Sequence, residues 1–247
     1  MKIAVISDIH GNMDALNAVI EDINKEKCDK IFVLGDFAMA GPEPAQVVDW
    51  FFKKQFDDNY KLIQGNTDLM IANYDDYLYD TIKIKAPVMA EALKDDVNIL
   101  NIIQKDFLGK LPEKLEIEVE GIKILLVHGS PRKNNEDISP DISLEKVEEM
   151  LELVDANIIL CGHTHLPCGF QTSKKQTVVN VGSIGRPFTS EPKSCYLILT
   201  INNSKCLFEH KFVEYNNQLA SEKMKKRKFD GADKLANMLI NPTERHF

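Results

Sequence analysis

Five times along the chain a short apolar run stops abruptly at a side chain able to hold a metal ion. Residues 3–6 run into Asp8 and His10, residues 30–34 into Gly35 and Asp36, and residues 60–63 into Gly65 and Asn66. Residues 122–127 end in His128, and residues 157–161 end in Gly162, His163, Thr164 and His165. Runs this short and β-branched read as buried strands. Polar groups just past their carboxyl ends point to an α/β chain, because sites in open α/β sheets gather there. Residues two apart on an extended segment face the same way, so Asp8 and His10 are expected to converge. A glycine before Asp36 is expected to let the backbone pass close to a metal.

The segments between these runs read as helices and hairpins. Leu16, Val19, Ile20 and Ile23 recur at helical spacing behind Asn12. Asn12 suits an N-cap and also the lining of a site, since a helix N-terminus favours phosphate. Pro44 opens a helix whose apolar face carries Val47, Val48, Phe51 and Phe52. From about 69 to 112 the strand pattern lapses. Leu93, Val97, Leu100 and Phe107 suit one helical face there, which predicts an insertion of two or three helices. Tyr74, Tyr77 and Tyr79 lie near its start, as core packing or as a stacking surface for a base. Glu120-Gly121 and Asn202-Asn203 mark hairpin turns. Ser143 caps a helix with Leu144, Val147, Leu151 and Val154 on its buried face. Residues 177–181 form a strand leading into Gly182, Ser183, Ile184, Gly185 and Arg186. Small residues and an arginine there predict close backbone approach and a phosphate contact, with a surface ion pair as the alternative. The tail from about 216 is polar and partly helical. Its cluster of Lys223, Lys225, Lys226, Arg227 and Lys228 reads as a solvated face. The expectation is a single domain over 1–247.

Bulk properties narrow the class. A net charge of −8 argues against a nucleic-acid backbone as the main partner. The five cysteines form no CxxC pair and read as free thiols in a reducing compartment, with Cys161 a buried strand thiol rather than a ligand. No stretch approaches the roughly 20 apolar residues that span a bilayer, and the first apolar run is too short for a signal peptide. A cytoplasmic protein without a membrane partner is expected.

Asp8, His10, Asp36, Asn66, His128, His163 and His165 are too many ligands for one ion. His210 and His246 fall outside strand ends and read as structural or incidental. The seven suit two divalent ions bridged by a carboxylate, and mixed N/O donors fit Mn, Fe, Zn or Ni. Two ions about 3.5–4 Å apart could hold a hydroxide and clamp phosphate oxygens.

The order D-x-H, G-D, G-N, H-G and G-H-T-H resembles the calcineurin-like metallophosphoesterases over about residues 1–187. The GPEP stretch after Asp36 and the stretch from Asn180 to Arg186 are similar to the small prokaryotic phosphodiesterase and phosphatase branch. The resemblance implies an α/β fold, a sandwich of two mixed β-sheets flanked by helices. It implies that Asp8, His10, Asp36 and His165 hold one ion and that Asp36, Asn66, His128 and His163 hold the other. Asp36 would bridge them, and manganese is the expected metal. Asp36, Asn66 and His163 would act directly around a hydroxide that attacks phosphorus in line, with Asn12, Thr67 and Arg186 contacting substrate. One position departs from the pattern. Many relatives carry histidine after the G-N asparagine, where it can protonate the leaving group. Thr67 stands here, and a threonine hydroxyl is a poor general acid. Asp68 could serve only with a raised pKa. The departure points to good leaving groups, as in aryl esters, phosphoanhydride nucleotides or certain diesters.

The leading expectation is therefore a dinuclear hydrolase of small phosphodiesters or nucleotides, dinucleoside polyphosphates among them. A protein Ser/Thr phosphatase is one alternative. A non-catalytic scaffold of the Vps29 type is another, opposed by the complete ligand set. A nuclease relative would be expected to carry histidine at position 67 and a basic face. A homodimer is common among such relatives, though no stretch here marks an interface.

Overall fold

Strands apolar on both faces need cover on each side, and the chain provides it with two stacked sheets, each backed by helices. A computed structural model of the chain describes residues 1–242. Its first half runs β1 (Lys2–Ile6), α1 (Met13–Glu26), β2 (Lys30–Val33), α2 (Pro44–Lys54), β3 (Tyr60–Leu62), α3 (Asn66–Ala72), α4 (Asp76–Lys85), α5 (Pro87–Ile99) and α6 (Ile102–Lys110). The second half runs β4 (Lys114–Val119), β5 (Ile122–Val127), α7 (Leu144–Met150), β6 (Ile158–Cys161), β7 (Cys168–Gln171) and β8 (Thr177–Asn180). It closes with β9 (Ser194–Asn202), β10 (Lys205–Val213), α8 (Asn217–Lys225) and α9 (Ala232–Met238).

The first sheet has the order β10-β9-β1-β2-β3 and the second β4-β5-β6-β8-β7. In each, three neighbouring strands are parallel: β1, β2 and β3 in one, β5, β6 and β8 in the other. The remaining strands join antiparallel. Alternation along the strands divides the core. Ile3, Val5, Phe32 and Leu34 meet Ile124, Leu126, Ile158 and Leu160 between the sheets. Ala4, Ile6 and Val33 face the other way, onto Leu16, Val19 and Phe51 of α1 and α2. Leu125, Val127, Ile159 and Cys161 pack on Val147 and Met150 of α7. The mixed two-sheet sandwich with flanking helices is the architecture that the motif order implied. All five cysteines are free, and Cys161 is a fully buried strand thiol. Among the described residues no helix is long and apolar enough to cross a membrane.

Several local readings need revision. The face formed by Leu93, Leu100 and Phe107 is buried, but it belongs to two helices. The chain turns extended at Leu100, and Asn101 restarts it through a reciprocal cap with Gln104. Tyr77 is 82% exposed, Tyr79 donates to Glu91, and Tyr74 packs on the helical core. The strand β7 carried no clear signal, since Cys-Gly-Phe-Gln is a short, half-buried edge. The second hairpin turns at Asn203 and Ser204, both at positive φ, one residue later than expected. The basic cluster of the tail divides: Lys225, Lys226 and Lys228 are exposed as expected, whereas Lys223 and Arg227 are engaged by acidic side chains. Ala220, Met224, Leu235 and Ala236 bury against the helical side of the first sheet. Lys223 bonds Asp14 and Glu43, and Arg227 pairs with Asp95 and Asp96. His210 is structural, bonding the carbonyl of Asn180 across the sheets, and His246 lies outside the described residues.

The inter-sheet layer should dominate stability. Phe32→Ala is expected to cost about 3–5 kcal/mol in urea unfolding. Leu207→Ala, on an exposed face of β10 at 64% accessibility, should stay within about 0.5 kcal/mol. Comparable losses at the two positions would contradict this division of the core.

Candidate metal centre

The parallel strands of both sheets end at one place, and the backbone there is unusual. Asp8, His10, Asp36, His163 and His165 have φ of 55°, 47°, 56°, 68° and 62°. Non-glycine residues rarely adopt this left-handed region, and each costs on the order of 1–3 kcal/mol. Asp8 and His10 therefore do not converge as alternate residues of an extended segment. They converge because the chain coils after β1, held to the end of β2 by Asp8 N–H to Gly35 O (3.0 Å) and His10 N–H to Asp36 O (2.9 Å). A Cβ on Gly35 would fall on the backbone of Gly65, and one on Gly65 would fall on the Asp36 carboxylate. The glycines thus let the ends of β2 and β3 approach each other.

Three histidines are oriented by carbonyls. His10 Nδ1 lies 2.9 Å from Met39 O, His128 Nδ1 2.7 Å from Leu34 O, and His165 Nδ1 2.6 Å from Arg186 O. A carbonyl only accepts, so each Nδ1 carries a proton and the neutral ring offers a lone pair at Nε2. Those lone pairs face other acceptors. His10 Nε2 is 3.1 Å from His165 Nε2, and His128 Nε2 is 3.0 Å from Asn66 Oδ1. His165 Nε2 is 3.3 Å from Asp8 Oδ1, and Asp36 Oδ2 is 3.4 Å from His128 and 3.6 Å from His10. Asp8 Oδ1 is buried without a hydrogen-bond partner. Acceptors crowded against acceptors repel unless a cation stands among them, and the donor set fits a divalent ion of the Mn, Fe, Zn or Ni type. Among the described residues the ligand atoms form two groups, Asp8 with His10 and His165, and Asp8 with Asp36 and His128. Asp8 belongs to both, and Asp36 also touches a histidine of each. Without a cation the carboxylates recruit a proton. Burial disfavours charge on His128, yet Asp36 and Asp8 push its pKa up to about 10. His10, which burial and then the neighbouring His165 and Arg186 disfavour as a cation, falls to about 3.

The other expected site residues divide. His163 lines the cleft, its Nε2 3.3 Å from Asp137 Oδ1, and it joins neither group. Its N–H donates to Asp8 Oδ2 (3.0 Å). Arg186 is 6% exposed, so it is not a surface ion pair. Its Nη2 is buried without a hydrogen-bond partner, its Nη1 lies 3.9 Å from the sulfur of Met89, and the guanidinium sits 6.0 Å from the centre of the Phe188 ring. Thr67 lines the cleft, but its N–H donates to Asp36 Oδ1 and its hydroxyl to Ala38 O. Asn12 does not fit the substrate contact expected of it. It is fully buried, accepts from Ala15 N–H as the α1 cap, and donates to Gly185 O. Asp68 does have a raised pKa, about 7, from burial and the nearby Asp36. Its carboxylate nonetheless accepts from the N–H groups of Asp36, Phe37 and Gly65, away from the cleft lining.

The cleft itself measures about 740 Å³. Its lining includes residues that sequence reasoning missed: Met89 from α5, Asp137 and Asp141 from the loop before α7, and Phe188. Phe188 stacks on His165 with centroids 4.6 Å apart. Its place two residues beyond Arg186 was the one available hint, whereas Met89 and Asp137 sit in segments with no site-like pattern.

Comparison with known proteins agrees with this geometry. A family model described as the calcineurin-like phosphoesterase superfamily domain matches residues 1–204. An uncharacterized protein of Methanocaldococcus jannaschii is 31% identical, the match covering 92% of this chain and 93% of that one. A hypothetical protein of Pyrococcus horikoshii superposes with a TM-score of 0.88 at 24% identity, over 99% of both chains. A metallophosphoesterase from Sphaerobacter thermophilus superposes at 0.76 and 23% identity, over 97% of this chain and 98% of that one.

The proton on His128 yields a signed expectation. A pKa raised from 6.5 to about 10 gives the metal-free protein stability that is full below pH 6.5 and lost as the pH climbs through 10. Denaturant titrations of the EDTA-treated protein should show that decline, and saturating Mn²⁺ should flatten it. Binding of Mn²⁺ near pH 7 should also release a proton, because a ligating histidine must be neutral. Calorimetry in two buffers of different ionisation enthalpy measures the release, and its absence would remove His128 from the ligand set.

Proposed function

As a chain that belongs to the calcineurin-like phosphoesterase superfamily, this protein is a phosphoric ester hydrolase, and we propose that it uses two divalent ions to cleave small phosphodiesters or nucleotides. The observation that carries this reading is the arrangement at the cleft floor. Lone pairs of three oriented histidines and two carboxylates face inward, and a buried guanidinium with an unpartnered N–H borders the same space. Asp8, His10, Asp36 and His165 would hold one ion and Asp36, Asn66, His128 and His163 the other, manganese being the expected occupant. When bound, the ions would acidify water and neutralise developing charge on the phosphoryl oxygens.

The chain's own groups do the rest. Arg186 stays protonated at neutral pH even though burial lowers its pKa to about 10. Its free N–H is suited to a phosphoryl oxygen and would orient the group for in-line attack. Met89, Leu166 and Phe188 form an apolar rim suited to the organic part of a small ester. Asp137 and Asp141, which line the same cleft, together with the net charge of −8, disfavour a polyanionic strand. The hydroxyl of Thr67 is engaged by Ala38 O and offers no acidic proton to a leaving group. Esters and anhydrides whose leaving groups depart unprotonated therefore suit the site best. A non-catalytic scaffold would have no use for lone pairs held in this register.

Hydrolysis by the Mn-loaded protein of bis-p-nitrophenyl phosphate, p-nitrophenyl phosphate, diadenosine tetraphosphate and a phosphoserine peptide tests the reading. The first and third substrates are expected to be preferred, and Asp36→Asn should lower turnover by more than about 100-fold. Preference for the peptide would favour a protein phosphatase, and inactivity towards all four with metal bound would defeat the proposal. Thr67→His should raise turnover of an alkyl monoester relative to an aryl one by about tenfold or more. An unchanged ratio would mean that leaving-group protonation is not what limits the wild type.

A further inference from the structure

We propose that Asp96 and Arg227 are positioning residues for the metal centre. Together they form a buried ion pair that fixes the backbone carbonyl orienting His10. The inference rests on the metal-dependent reading above and adds to it two residues far from the ligands in sequence.

Met39 is the link. Its carbonyl accepts from His10 Nδ1 (2.9 Å), and its N–H donates to Asp96 Oδ2 (2.6 Å). Met39 and Ala40 stand at φ of 76° and 62°, two consecutive non-glycine residues in the left-handed region. Such backbone persists only where surrounding contacts over-determine it. Asp96, on α5, is fully buried, and its other oxygen meets Arg227 Nη2 at 2.5 Å. Arg227, just past α8 and with its side chain 7% exposed, also bonds Gly41 O (2.5 Å) and Asp95. One guanidinium therefore grips the strained turn at both ends: at Gly41 directly, and at Met39 through Asp96.

Packing alone does not call for this arrangement. A buried ion pair is often no more stabilising than apolar residues of the same size, because desolvation cancels the attraction. What an ion pair with fixed hydrogen bonds provides is direction. Here the direction ends at the Nδ1 proton of a ligand whose Nε2 must aim at a metal. Partners of this kind commonly tune metal affinity by about 10–100-fold. The helical insertion and the tail thus meet on the loop that follows β2. Gly231, at the start of α9, packs against Val88 of α5 and joins the same two segments.

The test uses the full chain stripped with EDTA and titrated with Mn²⁺ by calorimetry or equilibrium dialysis. Circular dichroism and thermal melting monitor the fold. Arg227→Met and Asp96→Asn should weaken Mn²⁺ binding by about 10–100-fold, Arg227→Lys should weaken it less, and excess Mn²⁺ should restore turnover. Lys223→Met is the control. It removes a tail anchor to Asp14 and to Glu43, two residues past Gly41, and leaves both hydrogen bonds of Met39 in place, so it should lower the melting temperature while leaving Mn²⁺ affinity within about twofold. Folded Arg227→Met or Asp96→Asn protein with wild-type affinity overturns the proposal, as does equal weakening by Lys223→Met. If Arg227→Met fails to fold, the isosteric Asp96→Asn and the conservative Arg227→Lys decide the matter by the same comparison. Failure of the wild type itself to bind Mn²⁺ would strike the metal-dependent reading instead.

Discussion

Two carboxylates buried at the meeting of two sheets, Asp8 and Asp36, create the electrostatic demand around which the molecule is arranged. Buried charge is costly unless paired and hydrogen-bonded. The chain satisfies half of each group with backbone: Asp8 Oδ2 takes the N–H of His163, and Asp36 Oδ1 takes that of Thr67. The other oxygens, Asp8 Oδ1 and Asp36 Oδ2, face imidazoles that offer lone pairs when neutral. The three carbonyls that fix those imidazoles come from Leu34, Met39 and Arg186. Folding therefore assembles a cavity of negative potential, and without a cation that potential is met by a proton held on His128.

Neither sheet holds enough groups to do this alone. The β1–β3 ends bring Asp8, His10, Asp36 and Asn66, and the β5 and β6 ends bring His128, His163 and His165. The contacts that matter cross between them: His10 with His165, and His128 with Asp36 and Asn66. Stacking the sheets through Phe32, Leu126 and their neighbours is thus also what brings the two ligand sets together. Stability and chemistry share the same apolar layer.

The candidate ligands that the fold brings together, Asp8, His10, Asp36, His128 and His165, were legible because each follows the end of an apolar strand, a contrast strong enough to survive without knowledge of the fold. The reason offered for the convergence of Asp8 and His10 was mistaken, since left-handed backbone leaves only a weak mark in residue type, an enrichment of Asp, Asn and His, when the residues are not glycine. Asn12 shows the opposite limit: its identity suits both a cap and a binding group, and only its burial beside Gly185 distinguishes them. The tail was half legible for a related reason. Lys225, Lys226 and Lys228 are exposed as their charge suggests, but Arg227 among them looks solvated only until Asp95 and Asp96, some 130 positions earlier, are seen to meet it. Met89 and Asp137 reach the cleft through tertiary placement alone, and nothing in their neighbourhoods announces it.

The span in sequence between the first ligand and its furthest support has a consequence for how the protein comes into being. Asp8 lies near the start of the chain, its carbonyl is bonded by Ser183 and Gly185, and the turn behind His10 is gripped by Arg227. During synthesis the earliest residues of the site must wait for some of the latest. A nascent chain shorter than this holds carboxylates and imidazoles without the architecture to aim them. Cations met on the ribosome would then find only weak, scattered donors. Selection of a metal would thereby be deferred until the segment carrying Arg227 is in place, where geometry rather than order of encounter can decide which ion stays.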